Sequence, residues 1–125
     1  MASTFCVCRR CGNLISYVKK TGNIVSCCGE EMEILVPNTV EASTEKHIPV
    51  VTVEDNLVKV SVGSAPHPMT DAHLIQFVIL ETDQGKAFKS LEAGGKPELT
   101  FTLGSEKPLA VYSYCNLHGL WKVEL

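Results

Sequence analysis

Residues 48–62 read IPVVTVEDNLVKVSV. Two runs rich in β-branched residues, Ile48–Val53 and Leu57–Val62, flank Glu54-Asp55-Asn56, three residues that favour turns. The pattern predicts a β-hairpin. Similar runs follow toward the C-terminus, at Leu74–Leu80, Leu99–Leu103, Leu109–Tyr114 and Leu120–Leu125.

Turn signals separate these later runs, at Gly85, at Gly94-Gly95-Lys96-Pro97 and at Gly104. No segment sustains a helical period, although residues 71–80 fit either a helix or a strand. About seven short strands over roughly 85 residues are typical of an antiparallel β-sandwich of the immunoglobulin-like type. We therefore predict an all-β fold, with this sandwich over residues 41–125.

The N-terminal segment, residues 1–36, is marked by its cysteines. Cys8 and Cys11 form a C-x-x-C-G knuckle, in which two intervening residues turn the backbone so that both sulfurs can meet one ion. Cys27 and Cys28 are adjacent, at the place where a zinc ribbon carries its second C-x-x-C, so we expect a distorted tetrahedral site. We interpret Cys6 as a packed thiol rather than a ligand.

Four thiolates select zinc or iron, and their spacing does not separate the two metals. A segment of about 36 residues cannot bury an adequate core, so it needs such a metal to fold. We predict a small metal-stapled domain over residues 1–36. Val36-Pro37-Asn38-Thr39 reads as a break in regular structure, and we assign residues 37–40 to a linker.

The sandwich region carries all the histidines of the chain, each at a predicted strand end or in a loop. Prolines on both sides of His67 stiffen its loop, and Cys115 and His118 have a chelating C-x-x-H spacing. Four imidazoles and one thiolate suit iron, copper or zinc. The candidate ligands are His47, His67, His73, Cys115 and His118.

A blue-copper site is one alternative, because it also combines a β-sandwich with a C-terminal loop of this kind. Such a site normally adds a weak axial methionine shortly after the loop. No methionine follows His118. A five-ligand site that uses every histidine together with Cys115 accounts for more of the sequence, and it leaves one octahedral position open for a small ligand.

Composition excludes other classes of function. The chain has 125 residues, with 11 Lys+Arg against 14 Asp+Glu and a formal charge of −3, so it lacks the generally basic surface that nucleic acids require. No run approaches the roughly 18–20 apolar residues of a membrane span, and the first residues lack the pattern of a secretory signal. We expect a cytoplasmic protein without nucleic-acid or membrane partners, in which clustered thiols bind metal rather than form disulfides.

Five motifs together resemble desulfoferrodoxin, the two-iron form of superoxide reductase, and the N-terminal segment alone resembles desulforedoxin. The motifs are C-x-x-C-G-N at Cys8–Asn13, C-C-G-E at Cys27–Glu30, E-K-H-x-P at Glu45–Pro49, H-P-M-T-x-x-H at His67–His73 and C-N-x-H-G-x-W at Cys115–Trp121.

The resemblance implies two iron centres in each chain, with zinc as an alternative occupant of the first. It implies a distorted four-thiolate iron held by Cys8, Cys11, Cys27 and Cys28. It also implies a second iron with Cys115 as axial ligand and four equatorial imidazoles, those of His47, His67, His73 and His118.

The resemblance further implies that Glu45 and Lys46 are the catalytic residues beside the second iron. Glu45 matches a loop carboxylate that takes the sixth position in the oxidised state. Lys46 matches a lysine that attracts the substrate and orders water near the bound oxygen species. Members of the family are usually homodimers that draw electrons from rubredoxin or a similar donor.

The implied activity is the one-electron reduction of superoxide to hydrogen peroxide, without release of dioxygen. Two alternatives stay open at this point. A non-catalytic electron carrier predicts iron that ignores small anions. A structural metal-binding module predicts a colourless protein that contains zinc.

Overall fold

A computed structural model of the protein describes residues 3–125, which divide between Val36 and Pro37 into two compact units. We refer to the first as the head unit and to the second as the body unit. In the part of the chain that the structure describes, no helix is long and apolar enough to span a membrane.

The head unit consists of short strands around a small core. Its strands are β1 (Phe5–Val7), β2 (Leu14–Ser16), β3 (Ser26–Cys27), β4 (Glu30–Glu31) and β5 (Glu33–Leu35). β1 pairs antiparallel with both β2 and β5, while β3 pairs with β4. Cys6 lies in β1 and is fully buried against Cys8 and Met32, in agreement with its interpretation as a packed thiol.

The body unit contains one short helix followed by seven strands among the described residues. They are α1 (Thr44–His47), β6 (Pro49–Glu54), β7 (Leu57–Val62), β8 (Ile75–Thr82), β9 (Gly85–Ser90), β10 (Glu98–Thr102), β11 (Pro108–Cys115) and β12 (Gly119–Glu124). The strands form two antiparallel sheets, ordered β10-β7-β6 and β12-β11-β8-β9.

Both sheets contribute to one hydrophobic core. On β7 the alternate residues Val58, Val60 and Val62 are buried while Lys59 between them is exposed, as the two-residue period of a strand requires. The second sheet adds buried residues that include Ile75, Val78, Leu80 and Val111. The body unit is therefore a sandwich, which confirms the predicted all-β, antiparallel fold class.

Two elements differ from the sequence prediction. The helix α1 spans only four residues, too few to show a helical period, and it ends at His47 because Ile48, which precedes Pro49, disfavours the helical conformation. Strand β9 was not predicted, because every one of its residues is exposed and no run of buried apolar residues marks it in the sequence.

Candidate metal centres

Four cysteine sulfurs of the head unit converge on one point. The Sγ atoms of Cys8, Cys11, Cys27 and Cys28 all lie within 4.8 Å of one another. The Cys11–Cys27 pair is 3.6 Å apart and the Cys27–Cys28 pair is 4.0 Å apart. Metal–sulfur bonds of about 2.3 Å place the corners of a regular tetrahedron about 3.8 Å apart, so this cluster fits a four-thiolate metal.

Two tight turns bring these sulfurs together. In the first, the backbone N–H of Gly12 donates to the Cys8 carbonyl at 2.8 Å, and Gly12 takes a φ of 84°, which glycine adopts at little cost. In the second, Cys28 itself has a φ of 51°. This left-handed conformation is uncommon for a residue with a side chain, and it accompanies the convergence of two adjacent cysteines.

The thiols of this cluster differ in acidity. The backbone N–H of Cys11 donates to the Cys8 sulfur and lowers the pKa of that thiol to about 6. The neighbouring sulfurs of Cys11 and Cys8 raise the pKa of Cys28 to about 12. The Cys28 thiol therefore ionises near pH 7 only when a cation compensates its charge, and this favours a metal at the centre of the cluster.

Four imidazole rings of the body unit form a square. Neighbouring ring centroids around it are 4.7, 4.7, 5.1 and 4.9 Å apart, and the rings of each neighbouring pair are inclined by 75° to 88°. The diagonal pair His47 and His73 is 6.5 Å apart. In order around the square, the rings belong to His47, His67, His73 and His118.

The strand ends position this square. His47 ends α1 immediately before β6, His67 follows β7, His73 precedes β8, and Cys115 and His118 lie at the β11–β12 turn. Within each sheet the register aligns these strand ends, because β6 begins opposite the end of β7 in one sheet, and β11 ends opposite the beginnings of β8 and β12 in the other.

Unprotonated ring nitrogens point into the square, because hydrogen bonds hold the proton on the other nitrogen of the ring. His47 Nδ1 lies 2.6 Å from the Ser43 carbonyl and His67 Nδ1 lies 2.7 Å from the Pro68 carbonyl. A carbonyl oxygen only accepts, so each Nδ1 carries the proton and each Nε2 presents a lone pair. These two Nε2 atoms are 3.1 Å apart, and His118 Nδ1 is 3.1 Å from the His47 Nε2.

Such a convergence of lone pairs fits a metal ion. Metal–nitrogen bonds of about 2.1 Å place neighbouring corners of a square about 3.0 Å apart. His73 adds a second indication, because its Nε2 is buried and has no hydrogen-bond partner among the residues that the structure describes. A buried polar atom of this kind is costly unless something binds it.

Cys115 lies beside the square and is fully buried. Its sulfur is within 4.8 Å of the ligand atoms of His47, His67 and His73. His118 lies outside that mutually close group, but its Nδ1 is 3.9 Å from the Cys115 sulfur. The structure thus brings together the five side chains that the sequence indicated.

Burial controls the charge of these groups. It lowers the pKa values of His47 and His73, and it lowers the pKa of His67 to about 4. Burial also raises the pKa of the Cys115 thiol, an effect that the backbone N–H groups of His118 and Leu117 oppose. The three imidazoles are therefore neutral near pH 7, which is the form that binds metals.

Glu45 and Lys46 lie on α1 and are exposed. The Glu45 carboxylate accepts a hydrogen bond of 2.8 Å from the Ser43 hydroxyl, and its own backbone N–H, followed by that hydroxyl, lowers its pKa. The Lys46 charge acts on the square, because it adds to the effects of burial and His118 in lowering the pKa of His73.

Two residues around the square were not among the candidate site residues predicted from the sequence. The Trp121 ring stacks on His47, and its Nε1 donates to the His118 carbonyl at 3.1 Å. The Asn116 side chain bonds to the main chain on both sides of His73. Both lie within the C-N-x-H-G-x-W motif, which was the available signal.

Comparisons with known proteins agree with this geometry. A family model described as Desulfoferrodoxin matches residues 39–124. A desulfoferrodoxin of Syntrophotalea carbinolica is 43% identical over 118 residues, which cover 94% of this chain and 92% of that protein.

Solved structures show the same similarity. The superoxide reductase from Treponema pallidum superposes with a TM-score of 0.83 and 39% identity, covering 99% of this chain and 100% of that one. The superoxide reductase (1Fe-SOR) from Giardia intestinalis has a TM-score of 0.56 and 30% identity, covering 65% of this chain and 99% of that one. With a matching family model and relatives similar over nearly its whole length, the chain belongs to the desulfoferrodoxin family.

Proposed function

We propose that this chain is a superoxide reductase, an oxidoreductase that converts superoxide to hydrogen peroxide at a ferrous centre in the body unit. One observation carries the proposal: ring nitrogens of the imidazole square converge beside the Cys115 thiol. The activity named for the similar solved proteins supports it. The proposed ligands are His47, His67, His73, His118 and Cys115.

The donor set explains why the metal attracts an anion. Four neutral imidazoles and one thiolate around Fe²⁺ leave a local charge of +1, although the chain as a whole carries −3. When bound, iron supplies the electron in the net reaction, in which superoxide, one electron and two protons give hydrogen peroxide. The Cys115 thiolate would supply electron density to the metal, and these five side chains would leave the metal able to bind one further small molecule.

We assign supporting roles to the two exposed residues of α1. Lys46 adds a positive charge close to His73 and attracts superoxide toward the open position. Glu45, two residues before His47, provides a carboxylate that would bind the metal in the oxidised protein. In the structure, a hydrogen bond from the hydroxyl of Ser43, the residue before α1, holds that carboxylate at the start of the helix.

The head unit completes the proposal. We propose a second iron, held by the sulfurs of Cys8, Cys11, Cys27 and Cys28, with zinc as the alternative occupant, because the sulfur spacing suits either metal. We also propose a homodimer that receives electrons from rubredoxin or a similar donor. A cytoplasmic location suits the free thiols of both clusters.

A comparison of metal forms tests the proposal. The protein is loaded with iron or with zinc, and the decay of a superoxide pulse is followed as protein concentration rises. We expect the reduced iron form to accelerate the decay in proportion to its concentration and the zinc form to leave it at the spontaneous rate. Iron that stays reduced after the pulse would favour the electron carrier. A protein that accepts zinc but not iron would favour the structural module.

A further inference from the structure

Asn116 joins the two loops that carry the last three candidate ligands. It lies between Cys115 and His118, and its side-chain amide reaches across to the loop of His73. Its Nδ2 donates to the Ala72 carbonyl at 2.9 Å, and its Oδ1 accepts from the Leu74 N–H at 3.0 Å. The backbone N–H of Asn116 also donates to the Leu74 carbonyl at 3.3 Å. One residue thus bonds to the main chain immediately before and immediately after His73.

The ring of His73 is oriented differently from the rings of His47 and His67. The rings of His47 and His67 are each held by a backbone carbonyl that accepts from Nδ1. The hydrogen bonds described for His73 involve its main chain and Thr70. Among the described residues its buried Nε2 has no hydrogen-bond partner, so the contacts that place this ring include those of the backbone that carries it.

We propose that Asn116 is a positioning residue for His73. Its hydrogen bonds fix the imidazole of His73 relative to the loop of Cys115 and His118. This inference rests on the proposed function, because it assigns His73 to the same metal site. The Ala72 carbonyl requires a donor and the Leu74 N–H requires an acceptor, and asparagine offers both on one planar group. Outer residues that orient a metal ligand typically change metal affinity by about 10–100-fold when they are altered.

Asn116→Asp tests the bridge with a minimal change. The carboxylate still accepts from Leu74 but cannot donate to Ala72. A matched control is Asn38→Asp, since the Asn38 amide bonds in the same way to the N–H and carbonyl of Lys122, at 2.9 and 3.0 Å. We expect Asn116→Asp to release the body metal to a chelator about tenfold faster than the unmodified protein. The control should release it at less than about twice the unmodified rate, and the head metal serves as a reference in each sample.

A double substitution tests whether the effect passes through His73. In a His73→Ala background, Asn116→Asp should accelerate metal release by less than about twofold, whereas in a His67→Ala background it should keep most of its effect. The visible spectrum of the cobalt-loaded protein adds a signature of coordination. Asn116→Asp should shift it toward the spectrum of His73→Ala, and Asn38→Asp should not.

Two results would overturn the inference. One is an Asn116→Asp protein that releases metal no faster than Asn38→Asp. The other is an Asn116→Asp effect that persists in full in the His73→Ala background. If the aspartate variant does not fold, Asn116→Gln, which keeps both groups but displaces them by one methylene, should accelerate release, and an unchanged rate would count against the inference. None of these readouts uses superoxide, so they separate this inference from the proposed activity.

Discussion

The indole of Trp121 lies stacked on the imidazole of His47, with ring centroids 4.9 Å apart and planes inclined by 24°. The same indole donates from Nε1 to the carbonyl of His118. A single buried side chain therefore contacts one candidate ligand through its ring and holds the backbone of a second.

Trp121→Phe separates these two contacts. Phenylalanine keeps an aromatic face toward His47 but loses the hydrogen bond to His118, so we expect the free energy of unfolding to fall by about 0.5–1.5 kcal/mol. Trp121→Ala also empties the space and should cost about 3–5 kcal/mol. Urea unfolding of the metal-loaded proteins measures both changes. Equal losses for the two variants would contradict a separate role for the stacked ring.

Gly63→Ala tests whether close packing at Gly63 supports the turn that carries Glu45 and Lys46. A β-carbon added at Gly63 would lie 2.9 Å from the Lys46 carbonyl carbon and closer still to the Glu45 carbonyl oxygen. We expect Gly63→Ala to displace this turn, to lower the free energy of unfolding by about 1–3 kcal/mol and to slow the reaction with superoxide. Gly95→Ala is the control, because its β-carbon would come no closer than 3.6 Å to a neighbouring atom. Identical behaviour of the two alanine variants would show that the close approach at Gly63 has no consequence.

Lys46→Ala tests electrostatic attraction of the substrate. We expect the bimolecular reaction with superoxide to slow by about tenfold at low salt and its dependence on ionic strength to weaken, with iron content unchanged. Lys59→Ala is a suitable control, because Lys59 is also exposed and is paired with Glu54 on the β6–β7 hairpin. Rate constants measured over a range of ionic strength distinguish the two variants. Unchanged kinetics in Lys46→Ala would remove this lysine from the mechanism.

Serine substitutions at Cys28 and at Cys6 distinguish metal binding from packing in the head unit. Cys28→Ser removes one of the four converging sulfurs, so the head metal should pass to a chelator sooner while the body metal stays. Cys6→Ser should keep both metals but lower the free energy of unfolding by about 1–3 kcal/mol, because it buries a hydroxyl in place of a fully buried thiol. Metal analysis with urea unfolding tests both, and loss of head metal from Cys6→Ser would make Cys6 part of the site.

The sequence indicated which side chains converge, but it did not indicate the contacts that hold them. Spacing alone indicated the cysteine knuckle, and the prolines around His67 indicated a stiff loop. The Trp121–His47 stack joins residues 74 positions apart, and the carbonyls that orient His47 and His67 belong to ordinary backbone. Such contacts exist only once the strand ends have been brought together, so no local pattern signals them.

The fold shows the same division. Strand β7 alternates in hydrophobicity and was predicted with the bounds that the structure shows. Strand β9 pairs at the exposed edge of its sheet, where burial imposes no alternation. The helix α1 depends on its neighbours, since it lies between Ser43 and a residue that precedes proline.

The yield of peroxide per superoxide distinguishes a superoxide reductase from a dismutase. Superoxide is pulsed into the fully reduced, iron-loaded protein without oxygen, and peroxide, oxidised iron and dioxygen are measured together. A superoxide reductase predicts one peroxide and one oxidised iron for each superoxide consumed, with no dioxygen. A yield of half a peroxide per superoxide, with dioxygen evolved, would identify a dismutase and contradict the proposed function.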